Sequence, residues 1–258
     1  MLLAIDVGNT NIKLGIFNGE KLEMQARLST DKTKTFDQYA LEFKAILYIY
    51  NFNCSDISNS VLSCVVPQLS YTIRKAVELI TGNEPFEITP AAHLDINILI
   101  DNPETLGSDL AVSCVAVKNL YSCPAIVIGL GTATTFCVIN NKCEICGGII
   151  MPGVSVSLEA LSQKTSLLPS VGFKKPSRVI GKNTDECMRS GSVIGTAAMI
   201  DAVCERIEEE LGYSCDTIAT GGLASLIIPS CKRNIVIDNT LILKGLKVLF
   251  DINNKSKY

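Results

Sequence analysis

The order of apolar and polar positions along the chain predicts most of the elements. Residues 2–7 form an apolar run broken only by Asp6, the pattern of a buried strand. Ile12, Leu14 and Ile16 alternate with polar residues, which predicts a strand over 11–17. Asn18-Gly19 is a hairpin turn, and 21–28 reads as a third strand, so the chain opens with a β-meander. Helical periodicity spans 36–49, with Asp31 or Thr35 as its cap. A buried strand follows over 60–66, closed by Pro67, then an amphipathic helix over 70–80 and another helix over 107–121. After that the opening pattern returns. Residues 125–131 are an apolar strand ending in glycine, 134–139 and 142–150 are strands, and Asn140-Asn141 is the turn between them. Helices are expected over 154–161 and 185–211, a short strand over 217–220 running into Gly221-Gly222, and a closing helix over 241–250.

Two halves thus share one plan: a three-stranded meander with a glycine turn, then helices and further strands. This argues for an internal duplication with a boundary near 121–124, giving domains 1–121 and 122–258. A chain of 258 residues that is 47% hydrophobic and 19% charged is globular, neither disordered nor fibrous. Its net charge of −3 argues against a nucleic-acid partner. The apolar runs are too short for a bilayer, and Asp6 interrupts the only leader-like segment, so the protein reads as cytoplasmic with no membrane partner. In that compartment its 11 cysteines are expected as reduced thiols serving as small core residues, among them Cys64, Cys114 and Cys204. Cys143 and Cys146 form a lone CxxC without the second pair that a zinc site uses.

The candidate chemistry lies in the turns. In Asp6-Val7-Gly8-Asn9-Thr10-Asn11-Ile12-Lys13 a carboxylate ends a buried strand, Gly8 allows close backbone approach, Asn9 and Thr10 supply donors, and Lys13 adds a positive charge. Such a set suits hydrated Mg²⁺ and phosphate oxygens, although it also describes an ordinary hairpin turn. Gly131-Thr132-Ala133-Thr134 repeats it with neutral donors, and Thr220-Gly221-Gly222 is a third close-approach turn. Neither Gly-x₄-Gly-Lys-[Ser/Thr] nor a Gly-x-Gly-x-x-Gly after the first strand occurs, so a P-loop and a Rossmann site are unsupported. Asp109, in the first turn of the 107–121 helix, is a candidate base for a substrate hydroxyl. His93, the one histidine, is placed on a loop or the surface.

These residues resemble the type III pantothenate kinases, members of the actin, sugar kinase and Hsp70 ATPase superfamily. The resemblance rests on Asp6–Lys13, Val65-Val66-Pro67, Asp101-Asn102-Pro103 with Gly107-x-Asp109, Gly131–Thr135, Gly148-x-x-x-Pro152-Gly153, Gly181-x-Asn183-Thr184, Thr220–Ala224 and Leu243-x-Gly245-Leu246. It implies an α/β, duplicated ribonuclease H-like (actin-like ATPase) fold, two halves each with a central mixed sheet flanked by helices, and a cleft between them. It implies ATP-dependent phosphorylation of pantothenate to 4′-phosphopantothenate in coenzyme A biosynthesis. Asp6 would hold Mg²⁺ through water, and Val7, Gly8, Asn9, Thr10, Asn11, Ile12 and Lys13 would form the first phosphate loop. Thr132, Gly221 and Gly222 would complete the ATP site. Asp109 would be the general base, with Gly107, Ser108, Leu110 and the position of Ile100 lining the pantothenate pocket. Thr184 would reach pantothenate across a homodimer interface, and K⁺ or NH₄⁺ would be a further cofactor. Four positions depart from the family pattern: Gly129 stands where the family has the cation-binding Asp, Leu110 for an Arg, Ile100 for a Tyr and Cys137 for a second Asp. Each lost hydrogen bond to a charged group is worth about 1.5–3 kcal/mol. Two other readings therefore stay open: a catalytically impaired, nucleotide-binding regulatory relative, and a kinase for another small hydroxyl substrate.

Overall fold

The computed structural model describes residues 1–89 and 93–255. The chain forms two compact units. The first is built from residues 1–97 and 101–120 together with the chain from Thr240, the second from 98–100 and 121–239.

In the first unit β1 (Leu2–Val7), β2 (Asn11–Asn18) and β3 (Lys21–Ser29) form the meander. Parallel strands β4 (Asn59–Cys64) and β5 (Phe86–Glu87) extend it to the order β3-β2-β1-β4-β5. The two-residue period of β1 divides its side chains between two cores. Leu3, Ile5 and Val7 pack with α1 (Phe36–Ile49) and α2 (Pro67–Thr81). Leu2 and Ala4 pack with α3 (Ser108–Leu120) and α8 (Leu241–Lys255). Helix α1 has the predicted bounds, and Thr35 caps it through a capping box with Gln38. Asp31 instead accepts from the Thr33 backbone and hydroxyl. Pro67 not only ends the preceding strand but opens α2 as its first residue, so that helix begins earlier than its periodicity predicts.

The second unit repeats this topology. Its strands are β6 (Ala125–Leu130), β7 (Ala133–Ile139), β8 (Ile145–Pro152), β9 (Asp216–Thr220) and the short β10 (Val236–Ile237). Read from β8, their order is β8-β7-β6-β9-β10, the same plan as the first sheet. α4 (Val154–Lys164), α6 (Thr196–Leu211) and α7 (Ala224–Ile227) cover it around Ile126, Ile128 and Phe136. The helix expected over 185–211 is three pieces: α5 (Thr184–Ser190), a π-helical turn Gly191–Gly195, and α6. Two glycines bracket that turn, and the Ser192 and Thr196 hydroxyls donate back to the Met188 and Ser192 carbonyls, which loosens the helical ladder.

Two expectations change. The cysteines are not all thiols: Cys123 and Cys143 form a disulfide, with Cα atoms 5.6 Å apart, and the other nine remain thiols. The β7–β8 turn is longer than Asn140-Asn141, because the Asn140 side chain accepts from the backbone of both Lys142 and Glu144. That loop brings Cys143 to the residue just before Pro124, so Cys143 pairs there and not with Cys146. The second change concerns the boundary drawn at 121/122, which puts the closing helix in the second half. Helix α8 packs in the first unit, with Leu243, Leu246 and Leu249 against Val112 and Val115 of α3. Gly245 is what permits this approach, since a Cβ there would collide with the Val112 carbonyl.

Gly245→Ala should therefore lower stability by about 1–3 kcal/mol through overpacking. That exceeds the roughly 1 kcal/mol that alanine gains as the better helix former. Urea unfolding should show a lower midpoint at unchanged m-value, and a rise in midpoint would refute the close α3–α8 contact.

Candidate active site

In the first unit, even-numbered residues of β1 face α3, and Asp6 continues that row at the strand's carboxyl end. It is only 4% exposed. Lys13, its antiparallel partner on β2, places Nζ 3.7 Å from Oδ2. Oδ1 is buried with no hydrogen-bond partner. Burial pushes the Asp6 pKa up to about 6, the Lys13 ammonium opposes this, and the negative charge of Asp109 adds to it. The turn after β1 closes by a Gly8 N–H to Asn11 carbonyl bond of 3.0 Å. Thr30, which the sequence reading did not single out, braces it from the end of β3: its hydroxyl donates to the Gly8 carbonyl and its N–H to the Thr10 carbonyl. Asn9 and Thr10 are exposed, and Asn11 is half-buried. The side chains of Val7 and Ile12 lie in the core, so only their backbone can serve a ligand.

Asp109 is the second residue of α3. Its Oδ1 accepts from the Leu110 N–H at 2.9 Å. The carboxylate leans over Gly107, where a Cβ would come within 2.7 Å of Oδ1. Residue 107 must therefore be very small for this rotamer to exist. Ser108 shares a hydroxyl–hydroxyl hydrogen bond of 3.1 Å with Ser63, a fully buried residue of β4. Leu110 is half-buried beside the carboxylate.

The second unit gathers three turns. A Cβ on Gly153 would fall on the carbonyls of Gly131 and Thr132, and one on Gly221 on the backbone of Leu130. Gly221 also holds φ +111°, a conformation that L side chains rarely adopt. Gly131, Thr132 and Gly222 are left exposed around this packed backbone. Thr134 and Thr220, beneath it, carry buried hydroxyls without partners. Thr134 also lines a pocket of about 390 Å³ walled by Val154, Leu158, Met188 and Thr196.

The residues present fit a nucleotide and magnesium. A buried, unpartnered carboxylate oxygen is the hard donor that Mg²⁺ takes, and orphaned hydroxyls under exposed glycine backbone suit phosphate. They do not fit a monovalent cation bound by an aspartate. Gly129 pairs across the sheet with Thr135, whose hydroxyl lies 2.5 Å from where a Cβ on residue 129 would be. A side chain at 129 would need the Thr135 hydroxyl to turn away, and what the position itself lacks is the carboxylate. Among the described residues no group of three or more His, Cys, Asp or Glu could hold a metal. Ile100 belongs to the second unit, just after the Ile98–Ile145 bridge. Thr184 is exposed at the start of α5, where Asn183 caps the helix. His93 is exposed and exchanges backbone hydrogen bonds with the Asn253 amide. Burial raises the thiols of Cys204 and Cys231 to about 12 and that of Cys215 to about 11, which leaves them unreactive at neutral pH. Sequence reasoning overlooked Ser63 and Thr30; a serine within the apolar run Val61–Val66 is the one signal that marked the former.

A family model described as type III pantothenate kinase matches residues 2–206. Type III pantothenate kinases of Syntrophobacter fumaroxidans and Moorella thermoacetica are 38% and 39% identical to this chain, over 99% and 98% of it and the whole of each relative. Among solved structures, a Campylobacter jejuni protein assigned to the Baf family of transcriptional activators aligns with a TM-score of 0.65 at 18% identity, covering 98% of this chain and 99% of that one. Component A of the (R)-2-hydroxyglutaryl-CoA dehydratase of Acidaminococcus fermentans aligns at 0.54 and 13% identity, covering 100% and 99%. These two likenesses concern the fold alone, the duplicated α/β architecture described above.

The burial of Asp6 has a thermodynamic consequence. Its carboxyl binds a proton more tightly folded than unfolded, so its contribution to stability is full below 3.8 and is lost as the pH rises through about 6. Ionised Asp6 then costs on the order of 3 kcal/mol. Asp6→Asn should melt several degrees higher than the parent at pH 8, with the gap shrinking towards pH 4.5. A variant less stable than the parent at pH 8 would show that the carboxylate is well solvated.

Proposed function

The chain belongs to the type III pantothenate kinase family, and we propose that it transfers the γ-phosphoryl group of ATP to the hydroxyl of pantothenate. The product is 4′-phosphopantothenate, the entry to coenzyme A biosynthesis. The observation that carries this reading is the first unit's buried Asp6, with one oxygen unpartnered and Lys13 at 3.7 Å, on the face of the sheet that packs on α3, the helix that Asp109 opens. Asp109 accepts the proton of the acceptor hydroxyl as its oxygen attacks phosphorus. Gly107 and the Leu110 N–H hold that carboxylate in one rotamer. Lys13 and the exposed turn Gly8–Asn11 neutralise and orient phosphate oxygens. Mg²⁺ held through water on Asp6 would offset charge on the phosphates. In the second unit, the backbone of Gly131–Thr132 and Gly221–Gly222 with the Thr134 and Thr220 hydroxyls supplies neutral donors for the nucleotide.

The protein acts in this reading as a homodimer in the cytoplasm. Support for a second copy comes from the exposed apolar side chains of Ile150, Leu161, Leu167, Phe173, Val179 and Ile180, spread over β8, α4 and the segment that leads to Thr184. The helix expected over 185–211 offers less to a second copy, because its Ala197, Ile200 and Cys204 belong to the second core. A second reading, a nucleotide-binding relative with altered acceptor specificity, draws support from Leu110 and Ile100, which offer no charge or hydroxyl to the pantothenate carboxylate.

Asp109→Asn should cut pantothenate-dependent ADP release about 10²–10⁴-fold while ATP binding persists. ADP release that the parent lacks with pantothenate but shows with another hydroxyl compound would favour the second reading. Because Gly129 supplies no carboxylate to a cation, replacing K⁺ by choline at constant ionic strength should change turnover less than twofold. A tenfold loss in choline would restore a cation site.

A further inference from the structure

The two carboxylates of the first unit sit on different elements. Asp6 ends β1, and Asp109 begins α3. Something must fix the distance between them. In the parallel pairing of β1 and β4, Asp6 lies opposite Ser63. Val61 of β4 faces the α3–α8 core while Leu62 faces the α1–α2 core, so the two-residue period turns Ser63 to the α3 side, the side of Asp6 and Lys13. There it meets the first residue of α3, Ser108, at 3.1 Å. Ser63 is fully buried. The Ser63 hydroxyl is thus satisfied at a depth that water does not reach, while Ser108 is half-buried at the start of its helix.

Resting on the reading of Asp109 as the base, we propose that Ser63 is a positioning residue for the phosphoryl transfer: its hydroxyl bond to Ser108 clamps the start of α3 to the end of β4 and so holds Asp109 in register with Asp6. The chain of contacts is short. Ser63 neighbours Asp6 across the ladder, Ser108 is covalently next to Asp109, and the Ser113 hydroxyl donates to the Asp109 carbonyl, tying that residue into the next turn of α3. A serine serves where alanine would fill the same core space, because only a hydroxyl joins sheet to helix. Neither hydroxyl needs to touch substrate. Misplacing a base by about an ångström costs up to 10²-fold in rate without removing any reacting group.

The test is a cycle of Ser63→Ala, Ser108→Ala and the double variant, with kcat, both KM values and the melting temperature measured beside Asp109→Asn. Each single variant should lower kcat about tenfold or more, leave the KM for ATP within twofold, and melt within a few degrees of the parent. The double variant should lose no more than the worse single one, since the two hydroxyls form one bond. Ser63→Thr, which keeps the hydroxyl, should recover most of kcat. Single variants within twofold of the parent, or losses that multiply in the double, would overturn the clamp while leaving Asp109 as base if Asp109→Asn is inactive. Amide hydrogen exchange of the first turn of α3 supplies a readout independent of turnover. Ala111 and Val112 should exchange faster in Ser63→Ala, and unchanged protection would refute the proposal even in a protein that turned over no pantothenate.

Discussion

A buried carboxylate with one oxygen left unpartnered is the constraint around which the first unit is arranged. Asp6 could be neutralised by a second basic residue, or replaced by a core residue continuing the row of Leu2 and Ala4. It is neither. Lys13 at 3.7 Å offsets the charge only in part, and the pKa stays near 6. Such a group is costly until something cationic or proton-donating joins it, which is the condition expected of a site awaiting a ligand. The turn after β1 follows from this: Thr30 and the Gly8–Asn11 bond hold exposed backbone at the mouth of the buried charge.

Duplication then explains why the second unit carries related geometry with different chemistry. Both sheets have the same strand order, and in both the turn after the first strand lies at the carboxyl end of the central parallel pair, where ligands of open α/β sheets bind. The first copy keeps charge there, in Asp6 and Lys13. In the second copy the equivalent turn is neutral, and close packing of Gly153 and Gly221 against residues 130–132 has taken the place of an ion pair. One unit therefore carries buried charge at this turn, the other tightly packed neutral backbone above two orphaned hydroxyls.

Much of this was legible in the residues, and the exceptions have physical causes. Period and capping located α1 to the residue, and turn chemistry located both meanders, because these signals are local. Helix α8 was recognised as a helix but assigned to the wrong half, since nothing local tells which sheet an apolar face will meet; Gly245 against Val112 is a contact over more than a hundred residues of chain. The π-helical turn escaped because back-bonding by Ser192 and Thr196 does not alter apolar periodicity. The Cys123–Cys143 pairing escaped because a CxxC directs attention to Cys146. In the site, Asp6, Lys13 and Asp109 were visible as charges, whereas Ser63 was hidden as a small residue among apolar ones.

The departures from the family pattern also have a common character. Gly129, Leu110, Ile100 and Cys137 each replace a residue whose value lay in its charge or hydroxyl, and none disturbs the support of the two central carboxylates. At position 129 the strand pairs with Thr135, whose hydroxyl is the polar group nearest to where a side chain would stand. Ionised Asp6 is a cost to the fold and not a support, since burial raises its pKa to about 6. Gly107 is a second feature of this kind: its missing side chain leaves room for the Asp109 carboxylate and serves that rotamer, not the core.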